Sequence, residues 1–490
     1  MGRLINMEKI KNYINGKLVP PLKNKYLENY SPINGLPYSL VPNSDEKDVQ
    51  SAVLSAKKSF NKWGSSTKEY RYEWMMKLAQ AIDDHSDELV LAESFDNGKP
   101  EWLARSVDIP RCSANIRFFA TSILHFNSNA YDMDGAALNY TLKTPIGVAG
   151  CISPWNLPLY LLTWKIAPAI ATGNTVVAKP SEITPYTAYL FSKICCDINF
   201  PNGVINIVHG SGEVTGNAVV QQSDIISFTG GTETGKVVAA NAAQEFKKCS
   251  LELGGKNPTV VFSDCDIDLA VETATKAAFL NQGQICLCGS RIFIEDSIYD
   301  LFKNKFLEQT RKLIVGDPRD VKSNLGAVVS KDHLEKIILK VRLAEKAGGK
   351  ILCGGDRFVL GGDLSSGYYM SPTIIENTNY TDPINQEEVF GPVVTIMPFS
   401  SESEVVKMCN STKFGLSGVV FSNNISKAHR VANKIDSGLI WINSWLLRDL
   451  RIPFGGMKHS GLGREGGRQS LDFFTETKNV CVKIEKGGNK

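Results

Sequence analysis

Asn281-Gln-Gly-Gln-Ile-Cys286 places a thiol directly after a polar, glycine-containing turn, a setting for an accessible nucleophile. For any one of eleven cysteines the competing reading is a small buried apolar residue. Ser250-Leu-Glu252-Leu-Gly-Gly-Lys256 sets a carboxylate in an otherwise apolar strand end, where desolvation raises its pKa and makes it a candidate general base. Ser153-Pro-Trp-Asn156-Leu-Pro158 offers a side-chain amide just after a strand. That amide can donate to a developing oxyanion, or serve only as a turn residue.

Two further segments have the chemistry of nucleotide binding. Phe228-Thr-Gly-Gly-Thr-Glu-Thr-Gly235 follows a strand and opens a helix: Gly230 and Gly231 permit close backbone approach, and free N–H groups of the first turn can hold a pyrophosphate. A purely structural strand-to-helix turn is the alternative. Val177-Ala-Lys-Pro-Ser-Glu182 ends a strand in an acidic residue that can accept from both hydroxyls of an adenosine ribose and repel a 2′-phosphate. Its alternative is a solvated carboxylate near a helix start.

These residues need a frame, and the hydrophobic pattern describes one. From about residue 146, β-branched runs at Ile146–Ile152, Thr175–Ala178, Val204–Val208, Ile225–Phe228 and Thr259–Phe262 alternate with helical spacings, the pattern of a parallel sheet covered on both faces. One connecting helix is capped by Thr184, has Pro185 in its first turn, and carries the stripe Ala188, Phe191, Cys195 and Ile198. A second run follows: helices at Lys331–Ala347, Glu402–Cys409 and Ser426–Ile435, and strands at Val393–Pro398, Gly418–Phe421 and Leu439–Ile442. Two α/β domains are expected, joined near Leu253-Gly254-Gly255-Lys256, where the glycines permit a change of chain direction. Ala137–Leu142 and Asn479–Ile484 alternate like edge strands, at which another subunit can pair.

Composition narrows the function classes. With 54 Lys+Arg against 51 Asp+Glu in 490 residues the net charge is +3, too balanced for a nucleic-acid trap. The most apolar stretch, Leu157–Ala171, is interrupted by Lys165 and two prolines, so no membrane span is expected. Met1–Asn6 lacks the apolar run of a secretory signal, and Asn6 stands where a myristoylation motif needs Ser or Thr. The odd cysteine count reads as reduced thiols in the cytoplasm, and the one-residue gap between Cys286 and Cys288 is not zinc spacing, so no metal is expected.

Taken together the chain resembles the aldehyde dehydrogenase superfamily. The resemblance runs through Pro154–Pro158, Lys179–Glu182, Phe228–Gly230, Leu251–Lys256, Gln282–Cys286, Glu387-Glu-Val-Phe-Gly-Pro392 and Pro453-Phe-Gly-Gly456, in that order. It implies a Rossmann-like NAD-binding domain (1–125 and 146–254), a second α/β catalytic domain (255–460) and a small β oligomerisation element (126–145 and 470–490) serving a homodimer or homotetramer. It also implies Cys286 as nucleophile, Glu252 as base and Asn156 as oxyanion donor. Cofactor contacts follow for Trp155, Lys179, Glu182, Gly230, Gly231, Gly235, Glu388 and Phe390. Many members carry Ser at the position of Gly231, so one side-chain contact to the pyrophosphate is missing here. A helix after the nucleophile turn, together with the cofactor's positive ring, is expected to lower the thiol pKa.

Within that superfamily, Asn443-Ser-Trp-Leu-Leu-Arg448-Asp-Leu-Arg451 and Asp108-Ile-Pro-Arg111 are similar to the dehydrogenases of 2-aminomuconic and 2-hydroxymuconic 6-semialdehydes, which act in aromatic ring degradation and tryptophan catabolism. Such substrates carry a carboxylate remote from the aldehyde, and Arg111 and Arg448 offer planar forks for it. Salt bridges are the competing role for both arginines. A betaine-aldehyde oxidiser is the rival: Tyr160, Trp164 and Trp445 can build an aromatic cage for a quaternary ammonium, which Arg448 would repel. A general aliphatic aldehyde oxidiser and a non-catalytic scaffold are the remaining alternatives.

Overall fold

The computed structural model describes residues 7–485, so the expectation for Met1–Asn6 and the last residues of the 470–490 element lie outside the described part. Five parallel strands form the centre of the first sheet: β1 (Val148–Ile152), β2 (Thr175–Lys179), β3 (Ile205–Ile207), β4 (Ile225–Thr229) and β5 (Cys249–Glu252). Their spatial order is β3-β2-β1-β4-β5. The order reverses between β1 and β4, which opens a crevice beyond their carboxyl ends. Ser153–Leu157 leaves β1 into that crevice, and Gly230–Gly231 leaves β4 into it. Antiparallel strands extend the sheet at both sides: Asn12–Ile14 and Lys17–Val19 beyond β3, and Gly461–Leu462 beside β5.

The second sheet is also mainly parallel. Its strands β6 (Pro258–Val261), β7 (Arg291–Glu295), β8 (Thr373–Glu376), β9 (Val393–Phe399), β10 (Ser417–Phe421) and β11 (Leu439–Ile442) run in the order β8-β9-β7-β6-β10-β11, with Lys350–Cys353 antiparallel at the β8 edge. Only Leu253–Asn257 separates the end of β5 from the start of β6. The carboxyl edge of the first sheet therefore faces the amino edge of the second. Neither Gly254 nor Gly255 is left-handed, contrary to the expected role in turning the chain. They are required by proximity instead: a Cβ on Gly254 would lie 2.2 Å from Glu388 Oε2, and one on Gly255 would lie 3.0 Å from the Cys286 carbonyl.

Helix α1 (Ile109–Leu124) and helix α2 (Pro158–Ala171) pack on each other beside the first sheet. Nearly all of α2 is buried, which is why the most apolar stretch of the chain is a core helix. No helix of the described residues is long and apolar enough to cross a membrane. Helix α3 (Tyr186–Asp197) begins one residue later than the Thr184 cap predicts. Thr184 Oγ1 donates to the Trp155 carbonyl at 3.3 Å, and the Tyr186 N–H is satisfied by Asp96 Oδ2 at 2.8 Å. The expected edge strands pair with each other. Thr475–Lys483 runs antiparallel to Ala137–Pro145 along its whole length, and Ala130–Asp132 covers the other side, so Ala137–Leu142 is a central strand rather than an edge.

Candidate active site

A cavity of about 1130 Å³ lies where the two sheets meet, and it is lined by every candidate residue except Gly235 and Trp445. Gly235 sits one turn into helix α4 (Thr232–Ala243), facing the sheet: a Cβ there would lie 2.5 Å from Leu253, so the glycine serves helix-on-strand packing. Trp445 donates its indole N–H to the Leu287 carbonyl at 3.1 Å and packs into the core of the second sheet. It holds the segment after Cys286 and is no part of a cage.

Cys286 is half-buried and follows three consecutive left-handed residues, Asn281 (φ 52°), Gln282 (φ 56°) and Gly283 (φ 69°). Two of these carry side chains, a conformation that costs free energy and must be held by its surroundings. Gln282 Nε2 donates to the Ala327 carbonyl at 2.8 Å, and Asn156 Nδ2 donates to the Gln284 carbonyl at 2.9 Å. Asn257 Nδ2 then holds the carbonyls of Cys286 (2.7 Å) and Cys288 (2.9 Å). No helix follows the turn; the chain passes to β7, so the expected helix-dipole aid to the thiol is absent. Burial pushes the Cys286 thiol well up, the nearby Glu388 and Glu252 add to this, and the Arg448 charge opposes it.

Glu252 ends β5 with both carboxylate oxygens buried and without a hydrogen-bond partner. Desolvation holds its carboxyl well above the ordinary range, reinforced by Glu465 and opposed by Lys165, Arg464 and Arg448. Behind it, Lys165 Nζ meets Glu465 Oε1 at 2.8 Å, a pair that no local pattern announces because its partners lie 300 residues apart.

At the other end of the cavity, Lys179 Nζ meets Glu182 Oε2 at 2.9 Å, and Glu182 Oε1 accepts from the Gly212 N–H at 3.3 Å. The amino end of α4 carries no side-chain cap, and the space beside Gly231 is open: a Cβ there would meet no atom within 4 Å. Uncapped N–H groups facing open space suit a pyrophosphate, and the Lys179–Glu182 pair suits a ribose. Glu388 Oε1 accepts from the Gly255 N–H at 2.9 Å, and burial raises its carboxyl to about 7. Trp155 stands edge-on to Phe390 and to His333, each at 5.1 Å between ring centroids. His333 Nε2 lies 2.7 Å from the carbonyl of Phe390, itself left-handed at φ 57°. His333 is a site residue that the sequence motifs do not point to; it is placed by Ser330, which caps its helix (Lys331–Lys346).

Tyr160 and Trp164, one turn apart on α2, face the cavity together. Arg448 Nη1 donates to Tyr160 Oη at 3.0 Å, and its guanidinium lies 4.1 Å from the Phe454 ring centroid and 6.0 Å from that of Trp164. Arg111 lies 5.7 Å from the Tyr160 ring centroid. Arg111 Nε and Nη2 and Arg448 Nε are buried without acceptors.

The aldehyde dehydrogenase family model matches residues 19–480. This chain belongs to that family. It is an oxidoreductase acting on aldehydes. It is 48% identical over 479 residues to 2-aminomuconic semialdehyde dehydrogenase of Danio rerio, covering 97% of this chain and 98% of that one. It is 40% identical to 2-hydroxymuconic semialdehyde dehydrogenase of Pseudomonas sp. strain CF600, covering 98% and 100%. The structure of the NAD+ complex of aldehyde dehydrogenase from Bacillus cereus superposes with a TM-score of 0.95 at 36% identity, covering 98% of both chains. The Rossmann-like first sheet and the second α/β sheet agree with that likeness.

Proposed function

We propose that this chain oxidises 2-aminomuconic or 2-hydroxymuconic 6-semialdehyde to the dicarboxylic acid with NAD. The observation that carries the substrate class is the pair of arginines beside Tyr160: Arg448 Nη1 is satisfied by the Tyr160 hydroxyl, but Arg111 Nε and Nη2 and Arg448 Nε are buried without acceptors. An unsatisfied guanidinium N–H is costly to bury, and a substrate carboxylate satisfies it. A quaternary ammonium fits less well, because Arg448 already occupies the space between Trp164 and Phe454 and Trp445 lies elsewhere. The identities to enzymes named for muconic semialdehydes support the same reading.

The residues divide the work. Once the thiol proton has left to solvent, the Cys286 thiolate bonds to the aldehyde carbon as the carbonyl π bond opens, and the resulting oxyanion is held by the second N–H of the Asn156 amide and by the Cys286 backbone N–H. Gly230, Gly231, Lys179, Glu182, Trp155, Glu388 and Phe390 would hold NAD, which when bound would supply the hydride acceptor needed to oxidise the thiohemiacetal to a thioester on Cys286. Glu252 takes a proton from water as its oxygen bonds to the acyl carbon, and the carbon–sulfur bond breaks to release the acid.

The division into domains at 1–125 with 146–254, 255–460, and 126–145 with 470–490 is part of this reading. So is assembly into a homodimer or homotetramer, supported by the exposed apolar residues Tyr131, Leu138, Leu142 and Val482 on the three-stranded sheet. Eleven unpaired cysteines support a reducing, cytoplasmic location. The deciding experiment compares kcat/KM for 2-hydroxymuconic semialdehyde, betaine aldehyde and hexanal. A preference for either of the last two overturns the assignment.

A further inference from the structure

Beneath the cavity, α1 is preceded by a π-helical turn, Ala104–Asp108, and a buried cluster of charge lies against it. Lys99 Nζ is fully buried, 2.8 Å from Asp108 Oδ2 and 3.5 Å from Glu93 Oε1, with both carboxylates equally inaccessible. Its third contact leaves the cluster: Lys99 Nζ donates to the main-chain carbonyl of Asn156 at 3.2 Å.

That carbonyl is a node. It also accepts from Asn281 Nδ2 at 3.1 Å, in the left-handed segment before Cys286. The Asn97 side chain donates to the neighbouring Trp155 carbonyl at 2.9 Å. The Asn156 side chain donates in the opposite sense, to Gln284. A carbonyl has two lone pairs, and here the two nearest donors are Lys99 and Asn281. The ammonium is the charged one, and charge-assisted bonds are about twice as strong as neutral ones. A lysine carried into the interior is retained at a cost unless it has work there, since a well-packed apolar side chain is often as stable.

We propose that Lys99 is a positioning residue that aims the Asn156 amide at the reacting oxygen and anchors the turn that carries Arg111. Asp108 closes the π-helical turn and Arg111 lies three residues on in the first turn of α1, so the two are neighbours on one helical face and a shift of Asp108 moves the arginine with it. One ammonium thereby fixes the two ends of the substrate site relative to each other: the oxyanion donor and the carboxylate fork. Groups of this kind need to be held to about 0.5 Å, which a single flexible amide in a loop does not achieve alone. The proposal rests on the reading of Asn156 as the oxyanion donor.

The test is a double-mutant cycle on the first-turnover burst of reduced cofactor, measured with hexanal and with 2-hydroxymuconic semialdehyde. Removing Lys99 alone strands two buried carboxylates, so the variant is Lys99→Met with Asp108→Asn, which removes the ammonium and its closest counter-charge together. The burst rate should fall about tenfold with hexanal, less than the 10²–10³ expected for loss of an oxyanion donor outright, and further with the semialdehyde. The dissociation constant for NAD reports whether the fold and cofactor site survive and should change little, while the melting temperature should fall by a few degrees because Glu93 stays buried without its counter-charge. In an Asn156→Ala background the same pair of substitutions should lower the hexanal burst by less than about twofold, because the group being aimed is gone. Losses that multiply across the two backgrounds, or a burst unchanged in the first, overturn the proposal. A normal burst in Asn156→Ala alone overturns the oxyanion reading and the proposal with it, whereas a collapsed burst there beside an unchanged one in the Lys99 variant removes only the proposal. If the pair does not fold, Glu93→Gln is added so that no buried carboxylate is left without its counter-charge, and that variant is scored by the same criteria.

Discussion

Arg448 donates to the Tyr160 hydroxyl from one side while Arg111 lies beside the Tyr160 ring, so a single phenol separates two half-buried guanidinium groups. Removing one of them tests the substrate class directly. Arg448→Met should lower kcat/KM for carboxylate-bearing semialdehydes by about 10- to 150-fold, on the order of 1.5–3 kcal/mol, and leave hexanal nearly unaffected. An equal loss for both substrates makes Arg448 structural; no loss for either removes the carboxylate fork.

Cys286→Ala should abolish turnover and retain NAD binding by calorimetry, since the sulfur is needed only for the covalent step. A tenth of the wild-type rate would exclude Cys286 as nucleophile.

Glu252→Gln should separate the half-reactions. The burst of reduced cofactor survives and the steady-state rate collapses. The raised pKa of Glu252 also sets the sign of the pH profile. Only the ionised carboxylate accepts a proton from water, and its population grows as pH rises toward the elevated pKa. Wild-type kcat therefore climbs with pH over a range displaced upward from that of an ordinary carboxylate, and the variant loses that rise.

With the adenosine ribose beside Glu182, as proposed, a 2′-phosphate would meet a carboxylate, so NAD should be favoured over NADP. Glu182→Ser should bring the two specificity constants closer together. An unaltered ratio places the adenosine ribose elsewhere.

Gly254→Ala would put a methyl 2.2 Å from Glu388 Oε2. A flexible carboxylate can move aside, so melting temperature should fall only slightly. The Gly255 contact would be lost, and KM for NAD should rise by about tenfold. A normal KM detaches Glu388 from cofactor binding.

The sequence carried the parallel cores clearly, because runs such as Thr175–Lys179 and Ser417–Phe421 are apolar on both faces and flanked by turn residues. Cys286, Glu252 and Asn156 were legible as unusual residue types at strand ends or after glycine turns. What local pattern could not carry were relations across long separations. Lys165 meets Glu465, and Trp445 meets Leu287, through folding alone. Thr184 had the right type for a cap, but Asp96 supplied the oxygen from 90 residues away. Gly235 matched a nucleotide-binding spacing while facing the sheet, since spacing does not reveal which side of a helix start is open.

Strand β5, which ends in Glu252, takes its outer neighbour from Gly461–Leu462. During synthesis that neighbour is made roughly 200 residues later, about 10–40 s at ordinary ribosomal rates. Until then the strand bearing the carboxylate is an open edge with unpaired backbone groups, next to an incomplete second sheet. The nascent chain is therefore most exposed to misassociation during the interval in which its later half is being translated. The catalytic strand is completed only once Gly461–Leu462 has been made, so chains released before that point should be aggregation-prone and should depend on holding chaperones.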